Sequence, residues 1–369
     1  MAPLSLFVGL MSGTSTDGVD AVLADLSDLA HPEIKAHAAL PMPEVLRREF
    51  FDLNNAGENE LMRAALAGNA LARLYAQAVR RLLDETGLQA GDILAIGAHG
   101  QTVRHDPAAG YSIQINNPAL LAELTGIDVI ADFRSRDVAA QGQGAPLVPA
   151  FHKALFSSDH PRVVLNLGGI ANVTLLNPRK EVQGFDTGPA NVLLDLWCAK
   201  KTGQPYDDRG KWAGSGHANT TLLNAMIENE PWFSKPPPKS TGRDLFNESW
   251  LESHLKSQPV DGMSDSDIQA TLQSLTAQTI AQAIHTYAPE TQEVLVCGGG
   301  ALNSGLVNEL SHRLQLPVYS TSHFGVPVQL VEALAFAWLA WAHLNHYCAG
   351  LPTVTGARHA TVLGCRYPA

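Results

Sequence analysis

An apolar run from Leu4 to Met11 breaks into Ser12-Gly13-Thr14-Ser15-Thr16-Asp17-Gly18 and resumes as an alternating strand from Val19. The pattern predicts a hairpin with a turn of glycine and hydroxyl residues. Arg162 to Leu176, RVVLNLGGIANVTLL, has the same form, with its turn at Gly168-Gly169. Each hairpin is followed by a long helical pattern, a short buried strand and a glycine-containing turn. In the first half these are Leu61 to Thr86, with Leu71, Leu74, Tyr75, Ala78, Leu82 and Leu83 at helical spacing before Gly87, then Asp92 to Ala98 and His99-Gly100-Gln101-Thr102. In the second half they are Ile268 to Tyr287, capped from Ser266 or Asp267, then Glu293 to Cys297 and Gly298-Gly299-Gly300. Repetition of this kind predicts two copies of one α/β unit, clamping a nucleotide from both sides.

The remaining segments predict less regular structure. His31 to Pro43 is polar and punctuated by proline, whereas Tyr111 to Ile115 and Asp128 to Ala131 predict strands. A strand is expected to end at Phe185, with Asp186 starting a tight turn and Pro189 opening a helix. Pro205 to Trp250 is polar and Pro-rich, which predicts a lid or rim and not core. A last buried helix is expected from about Pro327, with Leu330, Leu334, Ala337, Trp338 and Trp341 on one side. The domain division drawn from this pattern is 1–130 with 350–369, and 131–349 carrying a 205–250 insertion, with the active-site cleft between the two.

Length and charge narrow the partners. At 369 residues the chain exceeds what one core usually organises. Its net charge of -11 argues against nucleic acid or an anionic membrane as the main partner, so a polyphosphate must be held by local donors and a metal ion. The first basic residue is Lys35, which does not fit an export signal. Cys198, Cys297, Cys348 and Cys365 show neither a zinc spacing nor a disulfide framework, and a cytoplasmic location is expected. No membrane span is expected, since the longest apolar run, Val331 to Leu344, is too short.

Several residues suggest chemistry, each beside a plainer alternative. The first turn has the composition of a phosphate cradle, or of an ordinary hairpin loop. Asp186, between a strand end and a helix start, is a catalytic base or only a cap. Glu332 inside an apolar helix is functional, or faces water in the first turns. Arg134, Arg136 and Asp137 grip an anion, or form a solvated connection. Lys239 and Arg243 reach a phosphate or base, or are loop charge. A P-loop and protein-kinase signatures are missing.

Two glycine hairpins on duplicated α/β units resemble the actin, sugar kinase and Hsp70 superfamily. Within it, MSGTSTDGVDAVL (11–23), AHGQTV (98–103), NLGGIANVT (166–174), FDTGPAN (185–191), PPPKSTGR (236–243), CGGGALN (297–303) and EALAFAWLA (332–340) together resemble the anhydro-N-acetylmuramic acid kinase family over nearly the whole chain. The resemblance implies duplicated actin-like (ribonuclease H-like) domains and ATP-dependent, hydrolytic opening of 1,6-anhydro-N-acetylmuramic acid with phosphorylation of O6, in cell-wall recycling. It implies Asp186 as the base and Glu332 as a holder of water or sugar. ATP is expected against Gly13, Thr14, Ser15, Thr16, Asp17, Gly18, Val19 and Asp20, against Gly168, Gly169 and Asn172, and against Gly298, Gly299 and Gly300. His99, Gln101, Arg134 and Asp137 are expected at the sugar. Leu10 stands where the wider superfamily usually has an aspartate, so the ligands of Mg2+ stay open, with Asp17, Asp20 and water as candidates. Homodimer formation is left open. Other readings are another sugar or acid kinase of the superfamily, a sugar-sensing repressor, which would carry a DNA-binding segment, and a chaperone-like ATPase, which would carry a peptide-binding domain.

Overall fold

The structure is a computed structural model that describes residues 5–13, 16–257 and 262–369. The chain divides into two compact units, Met1–Leu155 with Leu330–Ala369, and Phe156–Gln329. In the first, β1 (Leu6–Met11), β2 (Gly18–Asp25) and β3 (Glu33–Pro41) pair antiparallel in succession, and β4 (Ala95–Ala98) joins β1 in parallel. Strands β5 (Gln101–Asp106) and β6 (Tyr111–Ile115) form a separate ribbon, while β7 (Val129–Ala131) extends the main sheet beside β4. The C-terminal strand Cys365–Tyr367 closes its edge.

The second unit repeats this plan. β8 (Arg162–Leu167), β9 (Ile170–Leu176) and β10 (Gln183–Pro189) pair antiparallel, and β11 (Glu293–Cys297) and β12 (Val318–Ser320) add in parallel beside β8. The sheet orders β7-β4-β1-β2-β3 and β12-β11-β8-β9-β10 are the same arrangement. The expected duplication of one α/β unit is therefore present strand for strand.

The long helices form where their periodicity placed them. Glu60–Thr86 buries Leu71, Leu74, Tyr75, Ala78 and Leu82 and stops at Gly87, whose φ of 71° suits glycine. Asp265–Tyr287 starts one turn earlier than its apolar pattern, because Ser264 and Asp267 make a reciprocal capping box.

Three expectations change. The segment 31–43 contains β3, an edge strand of small residues carrying Lys35 and His37, too weakly patterned to stand out. The 205–250 excursion is not without a core: Leu222, Met226, Trp232, Phe246 and Trp250 pack with Val192, Trp197, Ile268 and Leu272 in a core of their own. Its prolines and polar residues connect short helices around that core. The chain also leaves the first unit after Leu155, not at 130, and re-enters it at Leu330, not at 350, because helix Val331–Leu344 packs on β1, β2 and β4.

That packing needs glycine. Gly9 and Gly97 are partners in the parallel β1–β4 pair and lie directly under the helix backbone. A methyl group at Gly9 would overlap the Ala333 carbonyl oxygen and stand 2.6 Å from Ala337 N; at Gly97 it would overlap the Phe336 carbonyl oxygen. Such overlap forces the helix off the sheet. Gly9→Ala and Gly97→Ala should each lower unfolding free energy by about 3 kcal/mol or prevent folding, which urea titration followed by circular dichroism will measure.

Candidate active site

In the first unit, a buried polar chain starts in the β1–β2 turn. Ser12 Oγ donates to Gln101 Oε1 at 2.5 Å. His99, 5 % exposed at the end of β4, places Nδ1 3.3 Å from the Ser12 carbonyl, while Arg134 donates to His99 Nε2 at 2.8 Å and to the Gly144 carbonyl at 2.7 Å. A guanidinium only donates, so Nε2 accepts and Nδ1 carries the proton. Burial, reinforced by the Arg134 charge, pushes the His99 imidazole down to about 3, so it is neutral in ordinary buffers. Three of the four residues expected at the sugar, His99, Gln101 and Arg134, are thus brought together. The fourth, Asp137, is wholly buried: Oδ2 accepts from Gly144 N and Oδ1 from Thr355 Oγ1, each at 2.7 Å. It braces the loop behind Arg134.

The rest of the first turn is mixed. Thr14 and Ser15 lie outside the described residues. Thr16 is buried with φ of 52°, a conformation rare for a β-branched residue and frequent at functional loops. Val19 is core, and Gly18 is needed where β2 meets β3, since a methyl there would stand 2.6 Å from the Leu40 carbonyl oxygen. Asp17 is exposed and Asp20 half-buried. Burial, and then the Asp17 carboxylate, raise Asp20 to about 6 against an opposing pull from His37. Glu332 is half-buried in the first turn of its helix, where the macrodipole favours a carboxylate. On the same helix Phe336 lies against the His99 ring at 4.8 Å.

The second unit gathers its own set. The Gly168-Gly169 turn is fastened to the start of helix Asn191–Thr202: the Gly168 carbonyl accepts from Asn191 N, and that of Gly169 from Ala190 N and Val192 N. Asn191 Nδ2 donates to the Leu167 carbonyl at 3.0 Å. The next glycine turn packs against the same hairpin, since a methyl at Gly298 (φ 80°) would lie 2.9 Å from the Leu167 carbonyl oxygen and one at Gly300 2.8 Å from Leu167 Cβ. Gly299 meets only Asn191 Nδ2, at 3.9 Å. Two glycine turns converge at the carboxyl ends of the neighbouring parallel strands β8 and β11, a composition suited to phosphate, while the first amides of helix Asn191–Thr202 are spent on fixing the Gly168-Gly169 turn.

Asp186 stands opposite Asn172 in the β9–β10 register. No turn begins there: β10 continues to Pro189 through a bulge between Asp186 and Gly188, which re-aims the side chain without ending the strand. The segment after the three prolines grips Asp186. Thr241 N donates to Asp186 Oδ2 at 2.9 Å, and Asp186 N donates to the Lys239 carbonyl at 3.1 Å. Thr241 was legible only as part of PPPKSTGR, and Lys239 was expected at a phosphate or base or as loop charge; neither reading gave a hint of this contact. Among the described residues, no group of three His, Cys, Asp or Glu side chains is arranged to hold a metal.

The sequence profile described as anhydro-N-acetylmuramic acid kinase matches residues 5–369. A protein of that name from Bordetella parapertussis is 64% identical over 367 residues, covering 100% of this chain and 97% of its own. One from Chromobacterium violaceum is 51% identical, covering 98% and 99%. Among solved structures, the activator of the 2-hydroxyisocaproyl-CoA dehydratase from Clostridium difficile with bound ADPNP is 16% identical, with a TM-score of 0.44 over 92% of this chain and 96% of its own.

The neutral His99 has a signature in stability. Its folded pKa lies below the unfolded value, so its contribution is complete above about pH 6.5 and falls as the unfolded chain takes up the proton. Between pH 7.5 and 5, wild type should lose roughly 2 kcal/mol more than His99→Asn, measured by urea titration at each pH.

Proposed function

Because the chain belongs to the anhydro-N-acetylmuramic acid kinase family, we propose that it uses ATP and water to convert 1,6-anhydro-N-acetylmuramic acid to N-acetylmuramic acid 6-phosphate and ADP. The bridged sugar has no free 6-hydroxyl, so phosphorylation must accompany opening of the bridge. Water adds to C1, the C1–O6 bond breaks, and O6 takes the γ-phosphoryl group as ADP leaves. Asp186 accepts the proton of the attacking water. The observation carrying this assignment is its placement opposite Asn172, on the strand paired with the one that leaves the Gly168-Gly169 turn, with a backbone N–H on one oxygen.

The second hairpin and Gly298–Gly300 hold the nucleotide, as does the turn from Gly13 to Asp20. The glycine turns at the carboxyl ends of β8 and β11 support that role, with Gly298 and Gly300 packed too closely on Leu167 to carry side chains. Glu332 orients water or sugar. His99, Gln101 and Arg134 bind the sugar and its lactyl carboxylate, for which Arg134 supplies the cation, and Asp137 acts by bracing their loop. Asp20 fits Mg2+: it is a half-buried carboxylate beside that of Asp17, and burial together with that neighbouring charge raises it to about 6. Asp20, with Asp17 and water, would hold the ion, which supplies charge neutralisation at the β- and γ-phosphates. We place the enzyme in the cytoplasm, supported by four cysteines outside any disulfide. No helix among the described residues is long and apolar enough to cross a membrane.

The test is ADP release from ATP, Mg2+ and 1,6-anhydro-N-acetylmuramic acid, run in 18O water. One 18O atom is expected at C1 of the product, and product without it rules out water as the nucleophile. Asp186→Asn should reduce kcat by at least about 100-fold; undiminished turnover removes Asp186 from the mechanism. Asp20→Asn should raise the Mg2+ concentration giving half-maximal rate about tenfold. In wild type the Mg2+ requirement should rise as pH falls below about 6, because a protonated Asp20 no longer attracts the cation.

A further inference from the structure

The excursion after β10 does more than pack. Trp232 holds the segment 239–241 in two ways: its ring lies 4.4 Å from Lys239 Nζ, and its Nε1 donates to the Ser240 carbonyl at 3.1 Å. Lys239 Nζ also donates to the Phe233 carbonyl at 3.0 Å. The mount is rigid, since Trp232 meets Phe246 edge-on at 5.8 Å, and Glu230 accepts from both Trp232 N and Trp250 Nε1. Phe233 in turn rests on the bulge, where a methyl at Gly188 would come within 2.8 Å of its Cε1. The backbone of 239–241 is the part that bonds Asp186 on both its amide and its carboxylate.

We propose that Lys239 is a positioning residue for Asp186, a cation fixed by Trp232 and Phe233 that keeps the Asp186 carboxylate ionised and in place when the nucleotide phosphates arrive. The inference rests on the reading of Asp186 as the base. Its physical need is plain. A triphosphate at the Gly168-Gly169 turn brings several negative charges toward Asp186, and like charge favours the protonated carboxyl, which cannot accept a proton. A fixed cation opposes that drift. Lys239 has the environment of such a partner: burial pulls its ammonium below the ordinary lysine range, and Asp186 is the charge acting in the other direction. Half-burial on the indole face of Trp232 fixes the position of that charge.

The same segment carries Arg243 and Asp244, β9 presents Asn172, and helix Asp265–Tyr287 presents Thr276 and Thr279 to the end of β10. Arg243 is a second cation on that segment, so its neutral variant belongs in the test.

The experiment is kcat against pH for wild type, Lys239→Met, Lys239→Arg and Arg243→Gln, with Asp186→Asn alongside. For Lys239→Met the acidic limb should move up by about one pH unit. Turnover would then be about tenfold low below the limb and near wild type above it. Lys239→Arg should restore most of the shift, and Arg243→Gln should leave the limb where it is. Lys239→Gln is read in the same way should the Met variant not fold. A uniform loss at all pH values overturns the proposal, as does a raised KM for ATP with the limb unmoved; the first makes Lys239 a packing residue and the second a phosphate contact. A limb moved equally by Arg243→Gln also overturns it, by making the effect one of general charge. If Asp186→Asn is inactive while the limb stays put, only the role of Lys239 falls. If Asp186→Asn turns over normally, the base assignment falls and this role with it.

Discussion

The contact between bare backbones at Gly9 and Gly97 governs the first unit. Two glycines side by side on neighbouring strands let helix Val331–Leu344 lie on the sheet without side chains between. Because the approach is so close, the helix has little freedom to slide or roll, and its residues take fixed places relative to the strand ends. Glu332 is held in the first turn, and one turn later Phe336 supports the ring of His99. His99 then orients Arg134, and Asp137 fixes the loop from behind. Packing and site chemistry in this unit are one continuous chain of contacts.

The second unit reaches a comparable result by other means. Its hairpin turn is tied to a helix N-terminus through the turn's own carbonyls, and its second glycine turn rests on the first. Asp186 is aimed by a bulge and gripped by a loop that depends on an aromatic cluster. A bulge frees a strand residue from regular alternation, and such freedom is useful only when something else fixes the side chain. The 239–241 segment supplies that.

What could be read from the chain in advance follows the range of the interactions. Hairpins, long helices and the duplication are written in local periodicity, and they stand where they were expected. Glycine at 13, 168, 169 and 298 was legible because a turn requires it nearby. Gly9 and Gly97 were not, since each looks like an unremarkable strand residue until its partner strand and covering helix are in place. For the same reason β3 was hidden by its edge position, and Asp186 was expected in a turn because bulge and turn share a vocabulary of Asp, Gly and Pro. The aromatic residues of 205–250 were outweighed by the prolines around them, although Trp232, Phe246 and Trp250 form a core. Asp137 shows the converse: a charged residue in a polar loop invites a ligand, yet both its oxygens are spent on the protein's own groups.

The re-entry of the chain at Leu330 also imposes an order in time. Synthesis runs from the amino terminus, so β1 and β4 emerge long before the helix that covers their glycines. Until then the groove over Gly9 and Gly97 is open to water and to other chains. Phe156–Gln329 is contiguous and contains its whole sheet, so it is complete on the ribosome while its older neighbour is still waiting. The unit made first is finished last, and the nascent protein depends on its carboxyl-terminal 40 residues to seal the half with which it began.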